Sequence, residues 1–178
     1  MVSLLTRASA FDGVELAAPP LHLSAHPTIE RWLFRGDPAA VDAIGSVLGL
    51  ALPREACRAV SAGTTHALWL GPDEWLLFSE TPPLVPGPAE NSHALVDIGH
   101  RQAGFRVAGQ QAASALNAGC PLDLDLAVFP VGACTRTVFG KAEIVLWRVA
   151  PEMFHVEAAR SFVPYVVALL REAARGVV

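Results

Sequence analysis

Three short β-rich runs follow one another between Val131 and Phe162, and a chain that carries them has few ways to fold. Cys134–Phe139 and Ala142–Arg148 flank Gly140-Lys141, a turn signal, and Ala150-Pro151-Glu152 separates the second run from Met153–Glu157. The second run alternates, with Ala142, Ile144 and Leu146 on one face and Glu143 and Val145 on the other. Such a meander has one apolar face, which needs a covering layer. The segment from Ser161 supplies a helix for it. Ser161 serves as N-cap, Pro164 sits in the first turn, and Phe162, Tyr165, Val166, Leu169, Leu170 and Ala173 form a wide apolar face that Val163 and Val167 extend. Arg171, Glu172 and Arg175 place the helix end in water.

Upstream, Met1–Pro27 mixes Pro, His and Ser without a period and reads as an extended arm. Ile29–Arg35 reads as a strand, and Asp37-Pro38 opens a helix, since Asp caps free N–H groups and Pro loses nothing at the first helical position. Val41, Ile44 and Leu48 are its apolar stripe and Gly49 its stop. Strands are expected near Ala67–Leu70 and Glu74–Phe78, joined by Gly71-Pro72-Asp73. Pro82, Pro83, Pro86 and Pro88 then mark a stiff connector. Beyond it come a strand at Leu95–Ile98, a second near Phe105–Val107, and a helix opened by Gly109 with Ala112, Ala115 and Leu116 inward.

The same order occurs twice. Phe34-Arg35-Gly36 before a helix matches Val107-Ala108-Gly109 before a helix; Leu68-Trp69 before Pro72 matches Leu146-Trp147 before Pro151, and Trp75 recurs as Phe154. The expected fold is therefore α+β, with two pseudo-repeated βαββ-type halves, plait-like antiparallel sheets carrying helices on one face. The boundaries that follow are an N-terminal arm at 1–28, a first half at 29–80, a Pro-rich connector at 81–93 and a second half with the closing helix at 94–178.

Composition narrows the function. A net charge of −4 argues against a nucleic-acid partner, which leaves a basic footprint. The longest strongly apolar run near a helix, Phe162–Leu170, falls short of the roughly 20 residues that span a bilayer. No sustained apolar leader follows Leu4-Leu5, so the expected location is the cytoplasm. The chain is 52% hydrophobic and 17% charged, against about a quarter charged in an average soluble domain. That excess is either a large contact surface for another subunit or a consequence of abundant Ala.

Cys57, Cys120 and Cys134 show no CxxC spacing and read as reduced, buried thiols. His22 and His26 lie four apart, but Pro19, Pro20 and Pro27 argue against the helix that would converge them on a metal. Both GxxxxGK[ST] and GxGxxG are absent. His100, Arg101, Lys141, Glu143 and Arg160 attract notice as polar residues. Arg101, Arg136 and Arg160 either bind an anion such as a folate glutamyl tail or pair with Asp97, Glu143 and Glu157. His155, between Phe154 and Val156, reads as solvated rather than as a general base. No catalytic, cofactor-binding or metal-ligating residue is assigned. The anchors expected for an interface are Trp32, Trp75, Phe129, Phe139 and Arg136, wherever these are exposed.

CTRT-xxx-KAEI-x-LWR (Cys134–Arg148), GCPLDLDL (Gly119–Leu126) and RSFxPY (Arg160–Tyr165), with HRQ (His100–Gln102) and LGPDEWLL (Leu70–Leu77), resemble the gamma subunit of heterotetrameric sarcosine oxidase over roughly Ile29–Ala174. The resemblance implies a fold similar to the folate-binding aminomethyltransferase domain. It also implies a non-catalytic structural subunit that supports oxidative demethylation of sarcosine to glycine, with one-carbon transfer to tetrahydrofolate. It places no cofactor in this chain: flavins, NAD, tetrahydrofolate and zinc belong to partners, the alpha, beta and delta subunits. The isolated chain is expected either to self-associate or to expose an apolar patch larger than the few hundred Å² usual for monomers. The competing expectation is a stand-alone folate-binding one-carbon (aminomethyl) transferase module, for which tetrahydrofolate binding by the isolated chain would speak.

Overall fold

The structure, a computed structural model, describes residues 16–18, 21–25, 30–79 and 92–176. Two antiparallel sheets stack face to face, with a helical layer outside each. The chain runs β1 (Leu16–Ala18), β2 (Leu21–Ala25), β3 (Glu30–Gly36), α1 (Pro38–Leu48), β4 (Ala59–Ala62), β5 (Thr65–Gly71), β6 (Glu74–Ser79) and β7 (His93–Asp97). It continues through β8 (Gln102–Ala108), α2 (Ala112–Asn117), β9 (Cys134–Phe139), β10 (Ala142–Ala150) and β11 (Met153–Ala159), then a 3-10 turn (Arg160–Phe162) and α3 (Val163–Gly176).

The first sheet has the order β4-β5-β6-β3-β7 and the second β1-β2-β8-β11-β10-β9. Within them the runs β4-β5-β6-β3 and β9-β10-β11-β8 share one strand order, each with a helix between its first and second strands in the chain. The strand that leads into each run pairs across the molecule. β2 precedes β3 but joins β8, with Leu23 opposite Val107; β7 precedes β8 but joins β3, with Leu95 opposite Phe34.

Local chemistry explains the elements. Asp37 accepts from the Ala40 N–H at 2.8 Å, which holds its carboxyl below the usual carboxylate value, and Gly49 ends α1 at φ 63°. Gly140 turns β9 into β10 at φ 59°, and the expected alternation holds, with Ala142, Ile144 and Leu146 buried. Those side chains join Phe105, Phe154 and Val156 under α2 and α3. On the first sheet Phe34, Trp75 and Leu77 pack under Val41 and Ile44 of α1. Between the sheets lie Leu68, Leu76, Phe78, Ile98, Cys134 and Trp147.

Several expectations are corrected. The N-terminal arm holds two strands: Leu21 and Leu23 alternate with His22 and Ser24, and both leucines are buried beside β8. β4 has no counterpart among the expected strands, because Ala59–Ala62 is small and half exposed and so lacks apolar alternation. The sheets do not divide at the connector, since β7 belongs with β3. The hairpin registers set Trp69 opposite Trp75 and Arg148 opposite Phe154, so the counterpart of Trp69 is Arg148, not Trp147. A shift of one residue reverses the face: Trp69 packs toward α1, while Trp147 lies between the sheets. Finally, α3 buries Val163, Val166, Val167 and Leu170 and leaves Phe162 and Tyr165 exposed, and the 3-10 turn takes the place of a Ser161 cap.

Candidate functional site

Sheet geometry gathers charge where the two sheets meet. In β3, Trp32 and Phe34 face α1, so Arg31 and Leu33 face the second sheet. Opposite, Val156 and Ala158 of β11 face α3, which turns His155 and Glu157 toward Arg31. The Arg31 Nε donates to Glu157, 2.8 Å from Oε2 and 3.0 Å from Oε1, and His155 Nε2 lies 2.7 Å from Oε1. All three side chains are buried. Burial raises the Glu157 pKa, but the hydrogen bond and charge of His155 and the charge of Arg31 outweigh it and hold the carboxyl below its usual value. Phe78 and Trp147 pack edgewise on the His155 ring. Half-buried His66 leans on Trp147, and desolvation, with the charges of His155 and Arg106, holds its imidazole below the usual value.

Gly104 makes this cluster possible. A Cβ there would fall under 3.0 Å from Glu157 Oε1, Arg31 Nη2 and His155 Cε1. His155 is therefore not solvated, as its sequence context suggested; it is a buried partner of Glu157. Sequence reasoning missed Arg31 and Gly104. The signals were present: Arg31 sits in a strand apolar on both faces, and a Gly inside a strand marks a close approach.

The arginines divide. Arg136 donates to Glu74 and lies 4.0 Å from Glu143, so the pairing use holds for it, with Glu74 as the main partner. Glu157 is taken by Arg31, and Asp97 accepts from the Gly99 N–H at 2.8 Å. Arg101 and Arg136 share the lining of a cavity of about 60 Å³ with Gln102, Glu143 and Glu157. That is a small cavity, with room for water between the two arginines and the carboxylates. Arg160 meets Arg101 through the backbone, its N–H donating to the Arg101 carbonyl at 2.8 Å. His100 and Lys141 are exposed in turns, and the Lys141 N–H donates to the Tyr165 hydroxyl.

A second feature lies at the edge of the stack. Residues between α2 and β9 form a loop whose backbone is tied down from within. Asp123 accepts from the Asp125 N–H, Asp125 accepts from the Ala127 N–H, and the Asp125 carbonyl accepts from Val128 and Phe129. Buried Arg148 reaches it from β10, donating to the carbonyls of Leu124 and Pro151 with its guanidinium 4.4 Å from the Phe154 ring centroid. This rigid loop nevertheless holds Leu126, Val128 and Val131 in solvent. With Ala56–Arg58 it walls a groove of about 330 Å³, lined also by Leu122, Phe129 and Pro130.

Cys57 opens into that groove and is exposed, against the expectation of three buried thiols; Cys120 and Cys134 are buried. Burial pushes the Cys134 thiol up to about 12. Of the expected interface anchors, Trp75, Phe129 and Phe139 are core, Trp32 packs under α1, and Arg136 is exposed. His22 lies on β2 and His26 outside the described residues. Among the described residues no group of three or more His, Cys, Asp or Glu side chains could hold a metal ion, and no helix is long and apolar enough to cross a membrane.

The fold has a close solved counterpart. A chain of the heterotetrameric sarcosine oxidase from Corynebacterium sp. U-96, in complex with pyrrole 2-carboxylate, superimposes with a TM-score of 0.83 over 94% of each chain at 24% identity. The glycine cleavage system aminomethyltransferase T from Bartonella henselae gives a TM-score of 0.60 over 83% of this chain and 44% of its own, at 13% identity. Sequence relatives include the sarcosine oxidase subunit gamma of Corynebacterium sp. strain U-96, 28% identical over 74% of this chain and 67% of that protein. The subunit gamma of strain P-1 is 27% identical over 74% and 68%. Residues 35–176 match the family described as "Sarcosine oxidase, gamma subunit family", and the chain belongs to it.

Proposed function

We propose that this chain is the gamma subunit of a heterotetrameric sarcosine oxidase and serves it as a non-catalytic structural component, beside alpha, beta and delta subunits in the cytoplasm. The family match over residues 35–176 carries the reading. The chain's own polar residues agree with it, because the ion pairs Arg31–Glu157 and Arg136–Glu74 tie one sheet to the other, and His155 hydrogen-bonds Glu157 beside the first of them. In this reading flavin, NAD, tetrahydrofolate and zinc chemistry belongs to the other subunits. The likeness to an aminomethyltransferase is one of fold. The shared strand order further supports reading the two sheets as copies of one βαβββ unit, each completed by the other's lead-in strand.

The test is reconstitution. The chain purified alone is expected to be colourless and inert toward sarcosine in a peroxide assay, and to co-sediment with its cognate large subunits. A stoichiometric flavin band or sarcosine turnover by the isolated chain refutes the non-catalytic role.

A further inference from the structure

We propose that Cys57 and Cys134 form a redox pair: hydrogen peroxide oxidises the exposed Cys57, and Cys134 then closes a disulfide that clasps the two sheets where β4 and β9 meet.

The backbone sets these two residues side by side. Arg58 and Ala133, just ahead of β4 and β9, form an antiparallel bridge. The Ala59 N–H donates to the Gly132 carbonyl at 2.8 Å on one side of it, and the Cys134 N–H to the Cys57 carbonyl at 2.9 Å on the other. Register across the bridge thus places Cys57 opposite Cys134, where Cα atoms lie about 5.5 Å apart. A disulfide spans roughly 4.4–6.8 Å between Cα atoms, so no strand has to slide. The thiols also sense one another: burial first, and then the charge of Cys57, push the Cys134 thiol up to about 12. Their surroundings differ as two successive steps require. Cys57 is exposed and opens into the groove, within reach of peroxide, whereas Cys134 is buried between the sheets, its Sγ 3.5 Å from the Trp69 carbonyl. Cys120 belongs to the other core, beside Thr137, and stays out of the exchange.

In the first step the Cys57 thiolate attacks one peroxide oxygen and the O–O bond breaks. Cys57 becomes a sulfenic acid, and the departing hydroxide takes up a proton as water. The Cys134 sulfur then attacks the sulfenic sulfur and the S–O bond breaks; the hydroxide leaves with the Cys134 proton as a second water. Two thiols lose two electrons and one peroxide is reduced to two waters. The buried Cys134 is the weaker nucleophile, so the second step is the slow one.

The full chain, reduced and then exposed to hydrogen peroxide, should lose two of its three free thiols and fall in mass by about 2 Da. Digestion should yield a Cys57–Cys134 peptide pair that dithiothreitol separates. Cys120→Ser should behave as wild type. Cys134→Ser should stop at the sulfenic acid, with at least tenfold more dimedone adduct on Cys57 than the wild-type chain gives; the thermal midpoint of each variant verifies its fold. Peptide mapping of the wild-type chain decides the matter without any variant. A Cys57 carried on to sulfinic acid while Cys134 stays a thiol, or a Cys57 joined to Cys57 of a second copy, refutes the pair. Either result concerns this chain's own thiols and leaves its reading as an oxidase subunit intact.

Discussion

Replacing Gly104 with Ala tests whether the charged joint between the sheets is as tightly built as its geometry indicates. The new methyl would lie 2.7 Å from Arg31 Nη2 and 2.9 Å from His155 Cε1, and closer still to the Glu157 carboxylate. Backbone pairing with β11 sets Gly104 opposite Glu157, and β2 holds the neighbouring Phe105 from the other side, so the methyl has little freedom to retreat. The carboxylate must move away from its partners, and it is buried, with the cavity of about 60 Å³ that it lines as the nearby space. Separating a buried carboxylate from its partner costs about 3–5 kcal/mol, while Gly→Ala within a strand returns about 0.5–1 kcal/mol. The net loss is about 2–4 kcal/mol, or a fall of about 5–15 °C in thermal midpoint for a chain of this size. Gly71→Ala is the matched control, because a Cβ there meets nothing nearer than Glu74 Cβ at 3.6 Å. Differential scanning calorimetry of both variants decides the matter. A Gly104→Ala chain that melts within about 2 °C of wild type refutes the account of the joint as a filled, rigid cluster.

Three further outcomes follow from the same contacts. Because the Glu157 carboxyl is held below its unfolded value of 4.5, its stabilising effect is present above that pH and is lost as pH falls through the lower folded value. The stability difference between wild type and Glu157→Gln, from urea titrations, should therefore be constant from neutrality to about pH 5 and shrink below it. Arg148→Leu removes charged donors from the buried Leu124 carbonyl and the half-buried Pro151 carbonyl and should cost about 2–4 kcal/mol, with faster amide exchange at Val128 and Phe129. Cys57 holds the one left-handed backbone among non-glycine described residues, at φ 58°, so Cys57→Gly should stabilise by up to about 1 kcal/mol in the same titration.

What could be read without coordinates was local. Asp37-Pro38 and Gly49 delimit α1 because caps act within one turn, and Gly140-Lys141 sets the β9–β10 hairpin because a tight turn is decided by its own residues. The α3 face could not be read, since Phe162, Val163, Tyr165, Val166 and Val167 leave the helix apolar on nearly every side and periodicity selects no stripe. Pairing across long separations was equally hidden. Nothing in the segment His93–Asp97 says that it joins β3 rather than β8. Arg31 and Glu157 are 126 positions apart, so each reads alone as a surface charge. The same limit hid Glu74, the main partner of Arg136. Val128 and Val131 carry their meaning only once the loop is seen to face solvent.

The exchange of lead-in strands has a consequence for the order in which the nascent chain can settle. The four-stranded core of the first sheet is available once Ser79 has emerged, and its last strand once Asp97 has. β2 is made long before either, yet its partner β8 begins only at Gln102 and is itself held by β11, which ends at Ala159. During synthesis the early Leu21–Ala25 strand thus waits with only β1 beside it, its two leucines destined for burial and its β8-side edge uncovered, while some eighty residues are added. An open strand edge of that kind is a place where a translating chain is open to capture, by a chaperone or by a neighbouring nascent copy. The pairing that ties the first-made strand to the second sheet is thus among the late parts to close.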